Sequence, residues 1–276
     1  MKEKIIKDIF ELIKRVGVKS DTLIRKNQDS ILSSSNEHGD VQTRFDLEVN
    51  QLIIDEFTRQ KLVKRLYSEE LEQAILFENS PSNLEVFVDP LDGSKNVLVN
   101  GGVGTIFTIV HGEDVLAAAY IYYGLQTILL LAYQEVVEYS LQQGEFVLKK
   151  KHELLPKGNV LILGGYHNNY HQKELNILNQ LLSTRPAIFY NHAFIVNLHQ
   201  LITTGGIYIY PQTKAYPSGK LRLCYEAKAA AFIIEKMGGL ATDGENRILD
   251  KKNKQQDKTP LFLGDKGIIL SFFSKR

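Results

Sequence analysis

The chain has 276 residues, with 33 Lys+Arg against 32 Asp+Glu, a formal net charge of +1 and a single cysteine. That length accommodates one large or two modest domains with a real core. Near-neutrality leaves no field for holding nucleic acid or a membrane surface, and one cysteine excludes a disulfide scaffold or a Cys-rich zinc site. No apolar run approaches the roughly 18 residues of a membrane span, and the mixed charges Lys2, Glu3, Lys4, Lys7 and Asp8 are unlike a signal peptide. The expectation is a cytoplasmic protein with neither nucleic acid nor membrane as a partner.

Ile5, Ile9, Leu12, Ile13 and Val16 recur at helical spacing. A second helical stretch over 21–32 ends in the polar run Ser33-Ser34-Ser35-Asn36-Glu37-His38-Gly39, which reads as a mobile loop. Phe45, Val49, Leu52, Ile53 and Phe57 predict another helix, and 62–67 and 84–88 predict short strands. Stretches 105–110, 115–122, 127–133, 136–141 and 146–149, with Gly112, Gly124 and Gly144 at turns, predict an antiparallel meander. The basic run Lys149-Lys150-Lys151-His152 and Pro156-Lys157-Gly158 mark a boundary, dividing the chain into 1–155 and 156–276.

Beyond it the pattern alternates. Strands are expected at 160–163, 187–190 and 207–210, with helices at 173–182, 193–203 and 225–237, the last closed by Gly238-Gly239. The segment 250–258 (DKKNKQQDK) is polar enough to read as a floppy surface loop. The chain as a whole reads as α+β, with layered sheets and helices.

The strongest chemical signal is Asp89-Pro90-Leu91-Asp92-Gly93-Ser94, directly after a strand. Pro90 favours a tight turn, and a turn can aim Asp89 and Asp92 at one point. Gly93 and Ser94 can open a short helix whose free N–H groups suit an anion. Carboxylates beside a phosphate-sized anion site suggest hard cations bridging the two, although an Asp-rich turn is the plain alternative. Glu69 and Glu70 follow a strand, where adjacent side chains diverge. Asp46 and Glu226 each sit near a predicted helix start and alone read as dipole-complementing acids, whereas Asp40 reads as a loop acid.

Together these segments resemble one family, the class 1 fructose-1,6-bisphosphatases, within the lithium-sensitive inositol-monophosphatase-like phosphatases. The matching stretches are Gly39-Asp40 through Asp46, Ser68-Glu69-Glu70, Asp89 through Ser94 with Asn96, and Val103-Gly104-Thr105-Ile106-Phe107. Later ones are Gly205 through Pro211, Gly219 through Glu226, and Glu235 through Gly239. The inositol monophosphatases carry Trp-Asp at the last metal segment, whereas this chain has Leu221-Arg222-Leu223-Cys224-Tyr225-Glu226 and no Trp.

The resemblance implies a layered αβαβα sandwich and Mg²⁺-dependent hydrolysis of the 1-phosphate of fructose 1,6-bisphosphate, a step of gluconeogenesis. It implies two or three Mg²⁺ ions. Asp89, Asp92 and Glu226 would hold one, Glu69, Asp89 and the Leu91 carbonyl a second, and Asp40 with Glu69 a third. Asp46 and Glu70 would activate water, and the Gly93 and Ser94 N–H groups would hold the departing phosphate. Tyr166, Tyr190, Tyr210 and Lys220 match positions that bind the sugar and its other phosphate. The partner would be a small-molecule sugar phosphate, and the assembly a homo-oligomer, a tetramer by resemblance.

The chain also departs from the family. Phe189 and Leu163 replace an Arg and an Asn that meet the second phosphate, Lys95 replaces a small hydroxyl residue, and His192 through Asn197 replace Gly-Ser-Met-Val-Ala-Asp. No Thr-rich AMP-binding segment precedes Gly39. These changes keep open another sugar phosphate, such as sedoheptulose 1,7-bisphosphate or inositol phosphate. A sugar-phosphate sensor without catalysis would have no need of the whole acidic set. Cys224 is expected to be an inert buried thiol, His167 and His171 surface residues, and Gly101 through Gly104 a hinge or tight turn.

Overall fold

The structure is a computed structural model that describes residues 2–26, 33–35, 41–184 and 187–273. Its helices are α1 (Lys2–Lys26), α2 (Arg44–Gln60), α3 (Gln172–Thr184), α4 (Phe194–Thr204), α5 (Lys228–Lys236) and α6 (Lys266–Phe273). The strands of the first half are β1 (Ser33–Ser35), β2 (Val41–Thr43), β3 (Arg65–Ser68), β4 (Ile75–Leu76), β5 (Glu85–Asp92), β6 (Val103–His111), β7 (Asp114–Tyr123), β8 (Thr127–Ala132), β9 (Val136–Gln142) and β10 (Glu145–His152). The second half adds β11 (Val160–Leu163), β12 (Ala187–Tyr190), β13 (Ile207–Tyr210), β14 (Leu221–Arg222), β15 (Leu240–Thr242), β16 (Lys258–Thr259) and β17 (Leu261–Gly264).

An eight-stranded sheet runs in the order β10-β9-β8-β7-β6-β5-β3-β4, and a five-stranded sheet in the order β12-β11-β13-β17-β15. The meander expected from the glycine-punctuated apolar runs is the β6–β10 half of the first sheet, with every neighbouring pair antiparallel. Alternation along its strands feeds two layers. Ile106, Val110, Ala118, Tyr120, Leu130 and Ala132 face one side, and Phe107, Ile109, Ala119, Ile121, Leu129 and Leu131 the other.

The second of these faces is covered by α1 and α2, whose Ile9, Leu12, Ile13, Val49, Ile53 and Phe57 are fully buried there. The first packs on α4 and α5, which also contact the five-stranded sheet. Leu178 and Leu181 of α3 and Ile269 of α6 close that sheet's outer face. The result is the αβαβα layering expected from the sequence. A central apolar cluster draws on both halves, from Phe87 and Tyr120 to Ile162, Leu198 and Ile233.

Several elements differ from the sequence reading. As far as Lys26 the first two helical stretches are one helix, in which Gly17 stays helical and lets the Phe146 ring approach, a Cβ there lying 2.8 Å from Phe146 Cε2; the rest of the second stretch, 27–32, lies outside the described residues. Residues 33–35, expected in a loop, pair antiparallel with β2. The basic run at 149–152 belongs to β10, where Lys149 and His152 bond Glu138 at 2.9 and 2.8 Å. The helix expected at 225–237 begins as a widened π-turn, Leu223–Ala227, before α5. The segment expected to be floppy at 250–258 is bonded along its length: Lys251 Nζ pairs with Asp243 at 2.6 Å, and Lys258 and Thr259 form a strand against Arg222 and Leu221. Several of its polar groups find side-chain and backbone partners on other elements, which offsets the entropic argument for disorder.

Ile13 packs without exposed surface between α1 and the large sheet. Ile13→Ala should lower the unfolding free energy in urea by about 2–5 kcal/mol, the cost of lost contact plus residual cavity. Leu125→Ala, at a fully exposed turn residue, should change it by less than about 0.5 kcal/mol.

Candidate active site

The site grows from the end of β5. Opposite β6, Asp89 pairs with Ile106 but Asp92 pairs with Gly104, so the strand carries an extra residue between the two acids. A bulge of this kind bends the strand and re-aims its side chains. Here Leu91 N donates to Asp89 Oδ1 at 3.1 Å, and Thr105 Oγ1 donates to the Pro90 carbonyl at 2.8 Å. Gly93 follows in the left-handed region, φ +79°, and a Cβ there would lie 2.2 Å from Ala193 Cβ. Glycine is required twice over, by conformation and by the close approach of the α4 entry. Ser94 then opens a short 3₁₀ turn, Ser94–Val99.

That approach also fixes Asp92. The Ile195 N–H, in the first turn of α4, donates to Asp92 Oδ2 at 2.5 Å. Unpaired N–H groups at a helix start stabilise a carboxylate. Asn191 joins the two elements, accepting from Ala193 N at 2.9 Å and from Asn96 Nδ2 at 2.7 Å.

Glu226 sits on the π-turn, a geometry that displaces side chains from regular helical positions, and accepts from the Arg222 N–H at 2.6 Å. Glu69 leaves β3 with its N–H bonded to the Val88 carbonyl at 3.0 Å. An aromatic pile holds the segments together: Tyr67 stacks on Phe87, Phe87 meets Tyr225 edge to face, and Tyr225 Oη donates to the Ser68 carbonyl at 3.4 Å. Asp46, in the first turn of α2, is buried, and Glu70 joins it on the cavity wall.

One cavity of about 280 Å³ is lined by Asp46, Glu69, Glu70, Asp89, Leu91, Asp92, Gly93 and Ser94 at its acidic end. Tyr166, Tyr190, Tyr210 and Lys220 line it too. The structure therefore brings together the site residues expected from the sequence, except Asp40, which lies outside the described residues. The Gly164-Gly165 turn crosses the Tyr210 ring, where a Cβ on Gly164 would come within 2.4 Å of Cδ1. Lys220 Nζ stands 5.2 Å from the centre of the Tyr216 ring.

Other lining residues were given no site role from the sequence: Asn169, Asn191, Tyr216, Arg222 and Lys258, together with His192 and Asn197, which bound the stretch that departs from the family. Arg222 is the most telling, since its Nε donates to Glu69 Oε1 and it is buried. It lies inside the segment quoted for the family resemblance, four residues before the buried Glu226, and that spacing was an available signal. Lys258 had none, because its segment read as disordered. Phe189 and Leu163 do not line the cavity; they pack on the central and outer apolar clusters. Cys224 is buried, its thiol pushed up to about 11 chiefly by that burial. His167 and His171 are exposed.

The electrostatics of the acidic end are unfavourable without a counter-charge. Asp89, Asp92 and Glu226 each offer an oxygen, and these lie within 4.8 Å of one another. Burial, with the charges of Glu69, Asp92 and Glu226, raises Asp89 well above the usual carboxylate range. Burial, then Glu69 and Asp92, does the same for Glu226. Asp92 is pushed up to about 7, mainly by burial, although the Ile195 N–H opposes the shift. Among the described residues Glu69 Oε2 is buried with no hydrogen-bond partner. Clustered carboxylate oxygens, one of them unsatisfied, fit hard divalent cations, which take oxygen ligands and remove the repulsion.

The sign of the pH effect follows. With raised values, the metal-free folded site holds protons that the unfolded chain has released, so its contribution to stability falls as pH rises from the unfolded carboxylate range through about 7. A cation needs the deprotonated acids, so its binding strengthens over the same window. The Tm difference between Mg²⁺-loaded and metal-free protein should therefore widen from about pH 5.5 to about pH 8, with protons released on binding at neutral pH in titration calorimetry. A difference that stays flat would show that these acids are already ionised.

The family descriptions "Fructose-1-6-bisphosphatase, N-terminal domain" and "Fructose-1-6-bisphosphatase, C-terminal domain" match residues 25–151 and 156–272. A fructose-1,6-bisphosphatase class 1 of Methanospirillum hungatei is 32% identical over 275 residues, covering 95% of this chain and 88% of the relative. One from Campylobacter concisus is 34% identical and covers 96% of each. The crystal structure of Leishmania major fructose-1,6-bisphosphatase in holo form superposes with a TM-score of 0.87 at 27% identity, covering 96% of this chain and 94% of that one. Sequence and fold agree that the chain belongs to the class 1 fructose-1,6-bisphosphatase family.

Proposed function

We propose that the chain is a Mg²⁺-dependent phosphoric monoester hydrolase that removes the 1-phosphate of fructose 1,6-bisphosphate, releasing fructose 6-phosphate and inorganic phosphate. The observation that carries this reading is one cavity in which the acidic cluster of Asp89, Asp92 and Glu226, the Gly93-Ser94 turn, and the tyrosines with Lys220 are all on the wall. A bisphosphate needs both ends: one to activate a phosphoryl group and one to recognise the sugar and the other phosphate.

Asp89, Asp92 and Glu226 would hold one Mg²⁺, and Glu69, Asp89 and the Leu91 carbonyl a second. Asp40, with Glu69, would complete a third. Bound there, the cations would lower the pKa of water and offset charge on the phosphoryl group and the leaving oxygen. Asp46 and Glu70 would activate the attacking water, one of the two carboxylates accepting its proton. The new O–P bond forms as the P–O1 bond breaks, and sugar O1 leaves with the electron pair and takes a proton from solvent water. The N–H groups of Gly93 and Ser94 hold the phosphoryl oxygens. Lys220 suits the distant phosphate as a point charge, and Tyr166, Tyr190 and Tyr210 bound the sugar.

The family likeness also supports a place in gluconeogenesis, in the cytoplasm, as a homotetramer. It supports a division at about residue 155, with most metal ligands in 1–155 and the sugar-phosphate residues in 156–276. One observation favours a second substrate reading. Phe189 and Leu163 pack into apolar layers, which leaves His192, Tyr190 and Tyr166 to bound the cavity. Sedoheptulose 1,7-bisphosphate or inositol phosphate therefore belongs in the same assay.

Phosphate release should be fastest with fructose 1,6-bisphosphate in a panel that also holds those two compounds and a simple monoester, and should stop when Mg²⁺ is chelated. Turnover of fructose 1,6-bisphosphate no faster than the monoester would refute the substrate assignment. Asp92→Asn should lower kcat at least about a hundredfold, more than the loss of an outer-sphere partner of a metal, with an unchanged circular dichroism spectrum. Turnover at the wild-type rate in that variant would refute the metal-centred mechanism.

A further inference from the structure

We propose that residues 251–257 form a strap that fixes the spacing between the Glu69 loop and the Glu226 turn, with the buried Lys228 as its positioning residue. The inference rests on the reading of the acidic cluster as a metal site and concerns what keeps that cluster assembled.

Lys228 has no exposed surface. It opens α5 directly after the π-turn that carries Glu226. A buried ammonium is costly unless acceptors replace its water. Its Nζ donates to the Lys251 carbonyl and to Asn253 Oδ1, both on the strap. The segment is thus what makes the cation tolerable, and the cation is what pins the segment.

From that pin the strap reaches four other places in the fold. Asn253 N donates to Glu113 Oε2 at 2.6 Å and Asn253 Nδ2 to the Gly112 carbonyl at 2.8 Å, at the turn between β6 and β7. Gln255 Nε2 donates to the Leu71 and Glu72 carbonyls, each at 3.3 Å, immediately beyond Glu69 and Glu70. Gln256 Oε1 accepts from Arg222 Nη1 at 3.3 Å, while Arg222 Nε is engaged by Glu69. The Asp257 carbonyl accepts from Leu223 N at 2.8 Å, at the head of the π-turn.

The strap therefore clips the loop of one metal ligand to the turn of another, across a long separation in sequence. Repulsion among the acids drives these two segments apart when no cation is bound. Lys228, through Asn253 and the strap, opposes that drift and keeps the ligands spaced for a cation. Outer-shell partners of metal ligands typically govern affinity by 10–100-fold.

The test is direct Mg²⁺ titration by calorimetry on the full chain, with Lys228→Met, Asn253→Ala and Gln255→Ala beside wild type. The expected result is Mg²⁺ affinity weakened about tenfold or more, faster amide exchange at residues 69–72, and turnover largely preserved at saturating Mg²⁺. Where Lys228→Met does not fold, the partly exposed Asn253 and Gln255 decide the question. A folded variant with lowered Tm but wild-type Mg²⁺ affinity would overturn the strap's role and leave only a structural one. Absence of Mg²⁺ binding in wild type would overturn the metal reading, and the strap's role with it.

Discussion

Mutual repulsion among Asp89, Asp92, Glu226 and Glu69 is the constraint around which the molecule is organised. Like charges brought within a few ångströms in a poorly solvated cleft do not assemble spontaneously. The fold brings them together by making each one the endpoint of a segment anchored elsewhere. Asp92 is bound to the start of α4, Glu226 to the backbone of Arg222, and Glu69 to the Arg222 guanidinium. The apolar layers supply the free energy that opposes this repulsion, and backbone N–H groups and one arginine direct it.

The regular elements are scaffold, and the departures from regularity occur at the cavity. A bulge splits Asp89 from Asp92, a left-handed glycine lets α4 approach, and a π-turn displaces Glu226 from a helical position. Strain and irregular geometry collect at functional sites because the surrounding structure can hold them there. The far end uses softer means: tyrosine rings and a glycine turn laid across Tyr210, with Lys220 over Tyr216.

The meander was legible because period-two alternation and glycine turns have few other meanings, and the αβ alternation of the second half because its strands are short, apolar and bounded by turn residues. The Asp89–Ser94 turn was legible from its composition. The π-turn was not, since Leu223-Cys224-Tyr225-Glu226 contains no residue that signals a widened helix. Nor was the strap, because lysines, glutamines and asparagine in water-loving order describe a disordered tail as well as a segment bonded to carbonyls of distant elements. Asp46 was placed correctly at a helix start, but its facing a cavity depends on packing between α2 and β5 that no local pattern encodes. Arg222 shows the same limit: its partner Glu69 is 153 positions away.

The central apolar cluster draws on both halves of the chain. It follows that neither half is self-sufficient. Phe87, Ile106 and Tyr120 would face water if the second half were removed, and Ile162, Leu198 and Ile233 if the first were. A peptide-bond break near residue 155 would not release two working modules; the pieces would have to stay associated to remain folded. The walls of the cleft, drawn from both halves, thus rest on one shared oily interior.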